Sequence, residues 1–427
     1  MKVFHASDLH FSPTNLVEAD KCFGYAVEQA IAQNVEVAII GGDSTDHALE
    51  AHSPALLALA KRIKQLADHC PVFMLQGTFS HEPIGMLKIL ELVGARHPII
   101  ISDHVEMIGL SQGRWSAYDP AFCDVKWDLV ITSVPTVNKA ELALTVGADN
   151  VAIELGNHIA GLLGSFGAIN TSLAKQGVPT VLVSHGTVDG SLTESGVPMS
   201  GLDHEFTLGS LFSANASAVM LGHIHKHQDW SREFSGRQQH IAYPGSIGRF
   251  HYGEIGEKGA LIWDVQPTTA SFEQVVTPSK RMIDIEFQGA PNMDELSAVA
   301  ASCAGAFVRV RYQVDEEYAS TVDRNAIKEI LESASEVKID GTVLTIQRQR
   351  CAGISTHADV WQRFAIWCEF SNTPGDGLAE RIVQLQANEA AAVASCFIRS
   401  NRLAARALGQ VQEHLPAHHL DLEGNMI

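Results

Sequence analysis

Aspartate and histidine side chains recur in short motifs that directly follow apolar, strand-like runs of the sequence. The motifs are D-x-H at Asp8 and His10, G-G-D ending at Asp43, S-H-E at Ser80 to Glu82, S-H-G at Ser184 to Gly186, and G-H-I-H at Gly222 to His225. In D-x-H and H-x-H, residues two apart on an extended segment point to the same side, so each pair can reach into one metal centre. A buried cluster of imidazoles and carboxylates costs free energy unless cations neutralise it, and two divalent ions would do so. The motifs together therefore indicate metal-dependent chemistry.

Each motif taken alone has a plainer explanation. A histidine after a strand is more often structural, and an aspartate after two glycines is more often a turn residue or a helix cap. The S-H-E motif could be a turn that enters a helix at Pro83, and Asp46 could cap the next helix. The case for a metal centre therefore depends on the five motifs occurring together.

The elements that must position these motifs predict an α/β fold. From Met1 to about Val265, short β-type runs alternate with helical stretches. Several runs are apolar and end in Asp, Gly or His, which predicts strands buried on both faces with chemistry at their carboxyl ends. Helices are predicted at about 16–33, 54–69 and 151–176.

The pattern changes twice after this region. A polar, proline-containing connection at about 267–280 predicts a boundary, so the first domain is taken as 1–270. Residues 280–350 alternate strand and helix, with the third strand predicted at 342–349, and form a small α+β domain. A helical C-terminal tail is predicted over 357–427, with its last two helices at about 378–386 and 388–412. Three domains agree with a length of 427 residues.

The charge balance limits the nucleic-acid contacts that are expected. The formal net charge is −19 at pH 7, whereas affinity for a phosphate backbone rests on lysine and arginine. The charge therefore argues against nonspecific polyanion binding, and any nucleic-acid contact must be local. One group of basic residues either faces DNA or is ordinary solvated surface: Lys280, Arg281, Arg309, Arg311, Arg348 and Arg350.

The sequence also indicates a compartment. No apolar run approaches the ~20 residues that a membrane span needs, and the N-terminus lacks the basic and apolar regions of a secretory signal. The seven cysteines are scattered without a CxxC pair, which predicts reduced thiols. We expect a cytoplasmic protein that does not contact a membrane.

The order and spacing of the motifs resemble the calcineurin-like metallophosphoesterase superfamily, whose motifs run D-x-H, G-D, G-N-H, H and G-H-x-H. The similarity spans about Met1 to Val265 and implies the fold of that superfamily, a layered β-sandwich flanked by helices. It also implies two metal ions. By position, the first ion would be held by Asp8, His10 and His225, the second by His185 and His223, and both by a bridging Asp43.

One motif departs from the superfamily pattern. The usual G-N-H places an asparagine on the second metal, but here the chain reads Gly77-Thr78-Phe79-Ser80-His81. By the resemblance, His81 fits the catalytic histidine and Ser80 takes the asparagine position, where its hydroxyl ligates the ion directly, through water or not at all. Asp46 matches a family position beside the bridging carboxylate and is expected to support catalysis from behind the ligands. Mixed histidine and aspartate ligands suit Mn²⁺, with Fe and Zn as alternatives.

A narrower resemblance is to the nuclease subunit of the bacterial SbcCD complex and to the meiotic-recombination nuclease family. It rests on GDSTD at 42–46, the helical insert before VLVSHGTV, GHIHKHQ at 222–228 and YPGSIGRFHYGEIGEKGALIWDV at 243–265. It implies a two-metal DNA nuclease that processes duplex ends or hairpins at double-strand breaks, as a homodimer. Residues 280–350 would then cap the DNA, and 357–427 would dock onto an SbcC-type coiled-coil ATPase.

Two other functions stay open. One is a phosphodiesterase or phosphatase for a small nucleotide or a phosphoprotein, although a small substrate needs no capping domain. The other is a DNA-binding scaffold whose catalysis is weakened because its second metal site has decayed. Metal stoichiometry separates them, since one ion per chain favours decay and two favour catalysis.

Overall fold

The computed structural model describes residues 1–120, 125–136, 151–194, 196–198, 206–234, 236–254, 256–345, 351, 353–387, 394 and 398. The chain divides into two compact units, Met1–Leu344 and Thr345–Ile427. Apart from residues 394 and 398, the helix predicted at 388–412 lies outside the described residues. Within the described ranges, no helix has both the length and the apolar character needed to cross a bilayer.

The first unit alternates strands and helices, as an α/β fold does. Its strands are β1 (Lys2–Ala6), β2 (Val37–Ile40), β3 (Val72–Leu75), β4 (Ile99–Ser102), β5 (Glu106–Ser111), β6 (Arg114–Ala117), β7 (Leu129–Val134), β8 (Thr180–His185), β9 (Ala218–Gly222), β10 (Gln228–Phe234), β11 (Arg237–Tyr243), β12 (Gly259–Val265), β13 (Ala270–Val276), β14 (Met282–Gln288), β15 (Phe307–Asp315) and β16 (Glu336–Leu344). Its helices are α1 (Leu16–Ala32), α2 (Pro54–Ala67), α3 (Val151–Lys175), α4 (Leu208–Ser213), α5 (Met293–Ala300) and α6 (Arg324–Ile330), and a 3₁₀ helix spans Met86–Leu92. The predicted α/β class and the three predicted long helices are confirmed.

Two of the sheets have parallel strands at their centres. The six-stranded sheet has the order β13-β12-β1-β2-β3-β4, and β1 to β4 run parallel. The seven-stranded sheet has the order β10-β11-β9-β8-β7-β5-β6, in which β7, β8, β9 and β11 run parallel. Because parallel strands end at the same edge of a sheet, the loops that follow them are collected there.

Alternate residues of the central strands pack on opposite faces of each sheet, so this unit is built in layers. Val3 and Ile39 point to a core shared with Ile131 and Val183 of the other sheet. Their neighbours, such as Phe4, pack on the residues of α1 and α2. Leu182 and its neighbours on the second sheet pack on α3 and α4. The two sheets therefore face each other across one core, and helices cover their outer faces.

The third sheet has the order β14-β15-β16, is entirely parallel, and has a core of its own with α5 and α6. The third strand was predicted at 342–349, but β16 begins at Glu336. Glu336, Lys338 and Asp340 alternate along this strand and hide its β pattern, because charged residues are uncommon in strands. Residues 346–350 lie outside the described residues.

Acidic partners on the neighbouring strand neutralise two of the arginines that were candidates for facing DNA. The parallel register places Asp284 beside Arg309, and Arg309 Nε donates to Asp284 Oδ1 at 2.8 Å. Two residues further along both strands, Arg311 donates to Glu286 Oε2 at 2.8 Å. These contacts favour the solvated-surface interpretation of both residues. Arg348 and Arg350 lie outside the described residues.

The second unit contains α7 (Val360–Ser371) and α8 (Leu378–Ala387). An apolar groove of about 350 Å³ lies between them, lined by residues that include Phe364, Trp367, Ile382 and Leu385. The helix predicted at 378–386 is therefore confirmed.

The cysteines that the structure describes are free thiols. Cys22, Cys70 and Cys303 are buried, whereas Cys351 and Cys368 are partly exposed. Burial raises the pKa of both Cys22 and Cys70 to about 12. The prediction of reduced thiols agrees with this part of the chain.

Candidate metal centre

The predicted metal ligands all follow the carboxyl ends of central parallel strands. Asp8 and His10 follow β1, Asp43 follows β2, His185 is the last residue of β8, and His223 and His225 follow β9. The two sheets therefore contribute side chains to one place. Asp8, His10, Asp43 and His185 are almost completely buried.

The loops after β1 and β2 have an unusual backbone. Asp8, His10 and Asp43 have φ values of 53°, 47° and 50°, and His223 has 104°. We predicted that Asp8 and His10 lie on an extended segment, which is wrong, because both residues adopt the left-handed region. Hydrogen bonds from Asp8 N to Gly42 O at 3.0 Å and from His10 N to Asp43 O at 3.1 Å hold the two loops together. Such conformations cost of order 1–3 kcal/mol each and persist where the surrounding structure enforces them.

Asp8, His10 and His225 form a first cluster. Nε2 of His10 lies 2.9 Å from Nε2 of His225. The same nitrogens lie 4.0 Å and 3.8 Å from Asp8 Oδ1. The Asp8 carboxylate also accepts hydrogen bonds from the His223 amide at 3.0 and 3.2 Å. Two imidazole nitrogens and one carboxylate oxygen thus converge on one point, as the ligands of a metal ion do.

Asp43, His185 and His223 form a second cluster. His185 Nε2 lies 3.2 Å from Asp43 Oδ2, and the rings of His185 and His223 are 5.3 Å apart. Burial opposes ionisation of Asp43, but the His185 and His81 imidazoles outweigh it and hold the pKa of that carboxyl well below its usual range. Burial likewise opposes protonation of His185, but Asp43 raises the pKa of that imidazole.

The two clusters are adjacent. Within each of them, and within a third group of His10, Asp43 and His81, the potential ligand atoms lie within 4.8 Å of one another. His10 belongs to the first cluster and Asp43 to the second, so this third group joins them. The residues therefore fit two neighbouring divalent ions.

Three of these imidazoles share one orientation, with Nε2 directed inwards and an oxygen behind Nδ1. His185 Nδ1 lies 2.8 Å from Gly41 O, His10 Nδ1 lies 3.4 Å from Asp46 Oδ1, and His225 Nδ1 lies 3.6 Å from Glu254 Oε1. The 2.8 Å contact is a hydrogen bond, and it fixes the His185 tautomer that offers Nε2 to a metal. The contacts of His10 and His225 are longer and are ion-pair contacts. Asp46, predicted to support catalysis, thus lies behind a candidate metal ligand.

The hydroxyl of Thr78, a residue not predicted from the sequence to belong to the site, contacts the second cluster. Thr78 Oγ1 lies 3.2 Å from Asp43 Oδ2 and 3.4 Å from His185 Nε2, and the Thr78 amide donates to Asp43 Oδ1 at 2.6 Å. Ser80 is exposed, because the amides of His81 and Glu82 both donate to Thr78 O and fold 78–82 into a turn with Ser80 on its outer side. Of the alternatives for Ser80, this geometry favours the one in which its hydroxyl does not ligate the ion. Counting forward from Gly77, as in G-N-H, would have selected Thr78.

His81 lies beside the second cluster and is partly exposed. Its Nδ1 lies 2.8 Å from Asp43 Oδ2, and its backbone oxygen accepts a 2.8 Å hydrogen bond from Thr45 Oγ1. The hydrogen bond to Asp43 raises the pKa of His81. His81 therefore contacts the second cluster from a partly exposed position.

Glu82 ties the loops after β2 and β3 together. Its carboxylate accepts hydrogen bonds from the amides of Gly77, at 2.6 Å, and Ser44. Burial, followed by the nearby Asp43, raises the pKa of Glu82 to about 7. The S-H-E motif contained this residue, but its two partners are distant in sequence and gave no signal.

Glycine is required at position 222, where the end of β9 lies against the loops of the other sheet. A Cβ atom on Gly222 would lie 2.0 Å from Ser7 Oγ and 2.3 Å from Gly41 O. Only a residue without a side chain therefore lets β9 bring His223 and His225 against the loops of the other sheet.

Comparisons with known proteins do not identify the chain. No family model matches it, and no curated protein matches it. One solved crystal structure is similar with a TM-score of 0.34 at 9% sequence identity, over 64% of this chain and 98% of that one. A likeness this distant says nothing about function.

Proposed function

We propose that this protein is a two-metal-dependent phosphodiesterase, and that it acts as a DNA nuclease of the SbcD type. The observation that carries the proposal is the pair of adjacent aspartate and histidine clusters joined through His10 and Asp43. Clusters of this composition hold two-metal centres in phosphoesterases.

The first ion would be held by Asp8, His10 and His225, and the second by His185 and His223, with Asp43 between them. Thr78 Oγ1 lies where a further oxygen ligand of the second ion would be needed. Two bound ions, Mn²⁺ before Fe or Zn, would activate water for attack on phosphorus and neutralise the charge that develops there.

The protein groups have distinct roles in this reaction. His81 would donate a hydrogen bond to a non-bridging oxygen or to the departing oxygen of the phosphodiester. Thr45 and Asp43 hold its backbone and its ring. Asp46 fixes the orientation of His10 from behind.

DNA as the substrate and SbcC-type ATPase as the partner rest on the resemblance in sequence. The three-stranded sheet after the metal centre supports a capping domain, and the apolar groove of the second unit supports a partner-binding segment. A homodimer belongs to the same proposal.

A small phosphodiester is the second candidate substrate. The pairing of Arg309 with Asp284 and of Arg311 with Glu286 favours it, because these arginines are neutralised. The scaffold hypothesis requires a decayed second site, and the Thr78 hydroxyl beside Asp43 argues against such decay.

The test is Mn²⁺-dependent cleavage of end-labelled linear duplex and hairpin DNA, beside bis-p-nitrophenyl phosphate. The variants are His81→Ala and, as a matched control on an exposed histidine, His52→Ala. Cleavage of DNA by wild type and His52→Ala but not by His81→Ala supports the nuclease. Cleavage of the small diester alone overturns the isolated chain as a DNA nuclease, and no Mn²⁺-dependent cleavage of either substrate overturns the phosphodiesterase.

A further inference from the structure

Two buried charges lie behind the first cluster, in the segment 249–258 that follows β11. Glu254 and Lys258 are both almost fully buried. Lys258 Nζ lies 3.1 Å from Glu254 Oε2 and also pairs with the Glu194 carboxylate. Burying a lysine costs free energy unless the lysine is paired and hydrogen-bonded. The two carboxylates offset this cost, and the remaining question is why a buried ion pair lies beside the first cluster.

These charges do not form a third metal site. Glu194, His225 and Glu254 have ligand atoms within 4.8 Å of one another, as a metal site would. However, the ammonium group of Lys258 is paired with both carboxylates of this group. The lysine already supplies the positive charge that a metal ion would bring.

This ion pair contacts His225 at its ring and at its backbone. Glu254 Oε1 lies 3.6 Å from His225 Nδ1, and Lys258 Nζ donates to His225 O at 3.0 Å. The other ring nitrogen of His225, Nε2, lies 2.9 Å from His10 Nε2 in the first cluster.

Glu254 is itself fixed by its own segment. Its carboxylate accepts hydrogen bonds from the amides of Phe250 at 3.3 Å and His251 at 3.2 Å. A carboxylate anchored in this way can orient an imidazole without moving.

We propose that Glu254 and Lys258 are a positioning pair that orients His225 as a ligand of the first metal ion; this inference rests on the proposed metal centre. The pair acts through His225 and contacts neither substrate nor ion. Residues behind metal ligands typically contribute 10–100-fold to metal affinity. The pair therefore gives a role to two of the three charged residues of the GEIGEK sequence at 253–258, none of which the proposed reaction uses.

The test is calorimetric titration of the whole chain with Mn²⁺, using Glu254→Gln and the control Glu257→Gln, a neighbouring glutamate that is exposed. We expect wild type and Glu257→Gln to bind two ions. Glu254→Gln should bind one of them about 10–100-fold more weakly and the other unchanged. Co²⁺ absorption should show altered coordination at one site only.

Lys258→Arg keeps the charge and should preserve most of the affinity, whereas Lys258→Met should resemble Glu254→Gln. If Lys258→Met does not fold, Glu254→Gln and Lys258→Arg still decide the matter. Two ions bound by Glu254→Gln with wild-type affinity would overturn the positioning pair and leave the metal centre standing. A wild-type chain that binds no Mn²⁺ would overturn both.

Discussion

One oxygen of the Asp43 carboxylate contacts the His81 ring, and the other accepts a hydrogen bond from the Thr78 backbone amide. His81 Nδ1 lies 2.8 Å from Oδ2, and the Thr78 amide donates to Oδ1 at 2.6 Å. His185 Nε2 also approaches Oδ2, at 3.2 Å. Because one buried carboxylate contacts three residues, Thr78, His81 and His185, its replacement should affect chemistry more than folding.

Asp43→Asn and His81→Ala should each abolish turnover. The first removes the negative charge shared by the clusters, and the second removes the imidazole that we propose to face the substrate. We expect kcat on bis-p-nitrophenyl phosphate with Mn²⁺ to fall by at least about 100-fold in each variant. Far-ultraviolet circular dichroism should match wild type, and wild-type kcat in both variants would contradict the mechanism.

Thr78→Val should weaken the second ion, and Ser80→Ala should not. Valine has the shape of threonine but lacks the hydroxyl that lies 3.2 Å from Asp43 Oδ2. Mn²⁺ titration should therefore show one weakened site in Thr78→Val, and Thr78→Ser should restore it. The opposite result, with Ser80→Ala losing an ion and Thr78→Val retaining both, would return the ligand to Ser80.

Glu82→Gln should destabilise the chain. The amides of Ser44 and Gly77 both donate to the Glu82 carboxylate, and an amide side chain offers only one oxygen to the two of them. The lost partner should lower the free energy of unfolding by about 1–3 kcal/mol. Urea unfolding measures this, with Glu50→Gln as the exposed control. Equal stabilities would mean that the two loops do not depend on Glu82.

His5 should make the fold sensitive to acid. Burial lowers the pKa of its imidazole from 6.5 to about 3. The unfolded chain therefore takes up the proton first, and the stability that is present above pH 6.5 is lost as pH falls towards 3. Between pH 6.5 and 4.5, wild type should lose about 2–3 kcal/mol more than His5→Leu, at about 1.4 kcal/mol per pH unit.

Urea unfolding at the two pH values tests this difference. His52→Gln, at an exposed histidine, is the control and should behave as wild type. Equal losses in wild type and His5→Leu would show that His5 does not control the acid limb.

The sequence predicted the framework of the site because its signals are local. Apolar runs ending in Asp or His marked β1, β2, β8 and β9, since a strand buried on both faces leaves little room for polar residues before its end. The sequence did not show that Glu254 and Lys258 lie behind His225, because these residues are distant from His225 in the sequence and meet it only in the folded chain. Nor could it show that Arg309 faces Asp284, because the register of β14 and β15 pairs residues separated by a helix.

The edge strand β10 has no such apolar run. β10 reads QDWSREF and alternates partly exposed with exposed positions. Its register against β11 is set by backbone hydrogen bonds that composition does not reveal. The β-propensity of the residues is a weak signal where one face of a strand is exposed to solvent.

Gly222 lets two sheets contribute to one candidate metal centre, and this arrangement has a thermodynamic consequence. Asp8, His10 and Asp43 belong to one sheet, and His185, His223 and His225 to the other, so neither cluster exists until the sheets have docked. Metal ions would then bind only the assembled state and shift unfolding by mass action, by about 2.7 kcal/mol at a free concentration of 100 Kd for one site. Mn²⁺ should raise the melting temperature and chelation should lower it. The catalytic ions would in this way serve as reversible crosslinks of the native fold, and metal supply would govern how long the protein survives as well as how fast it reacts.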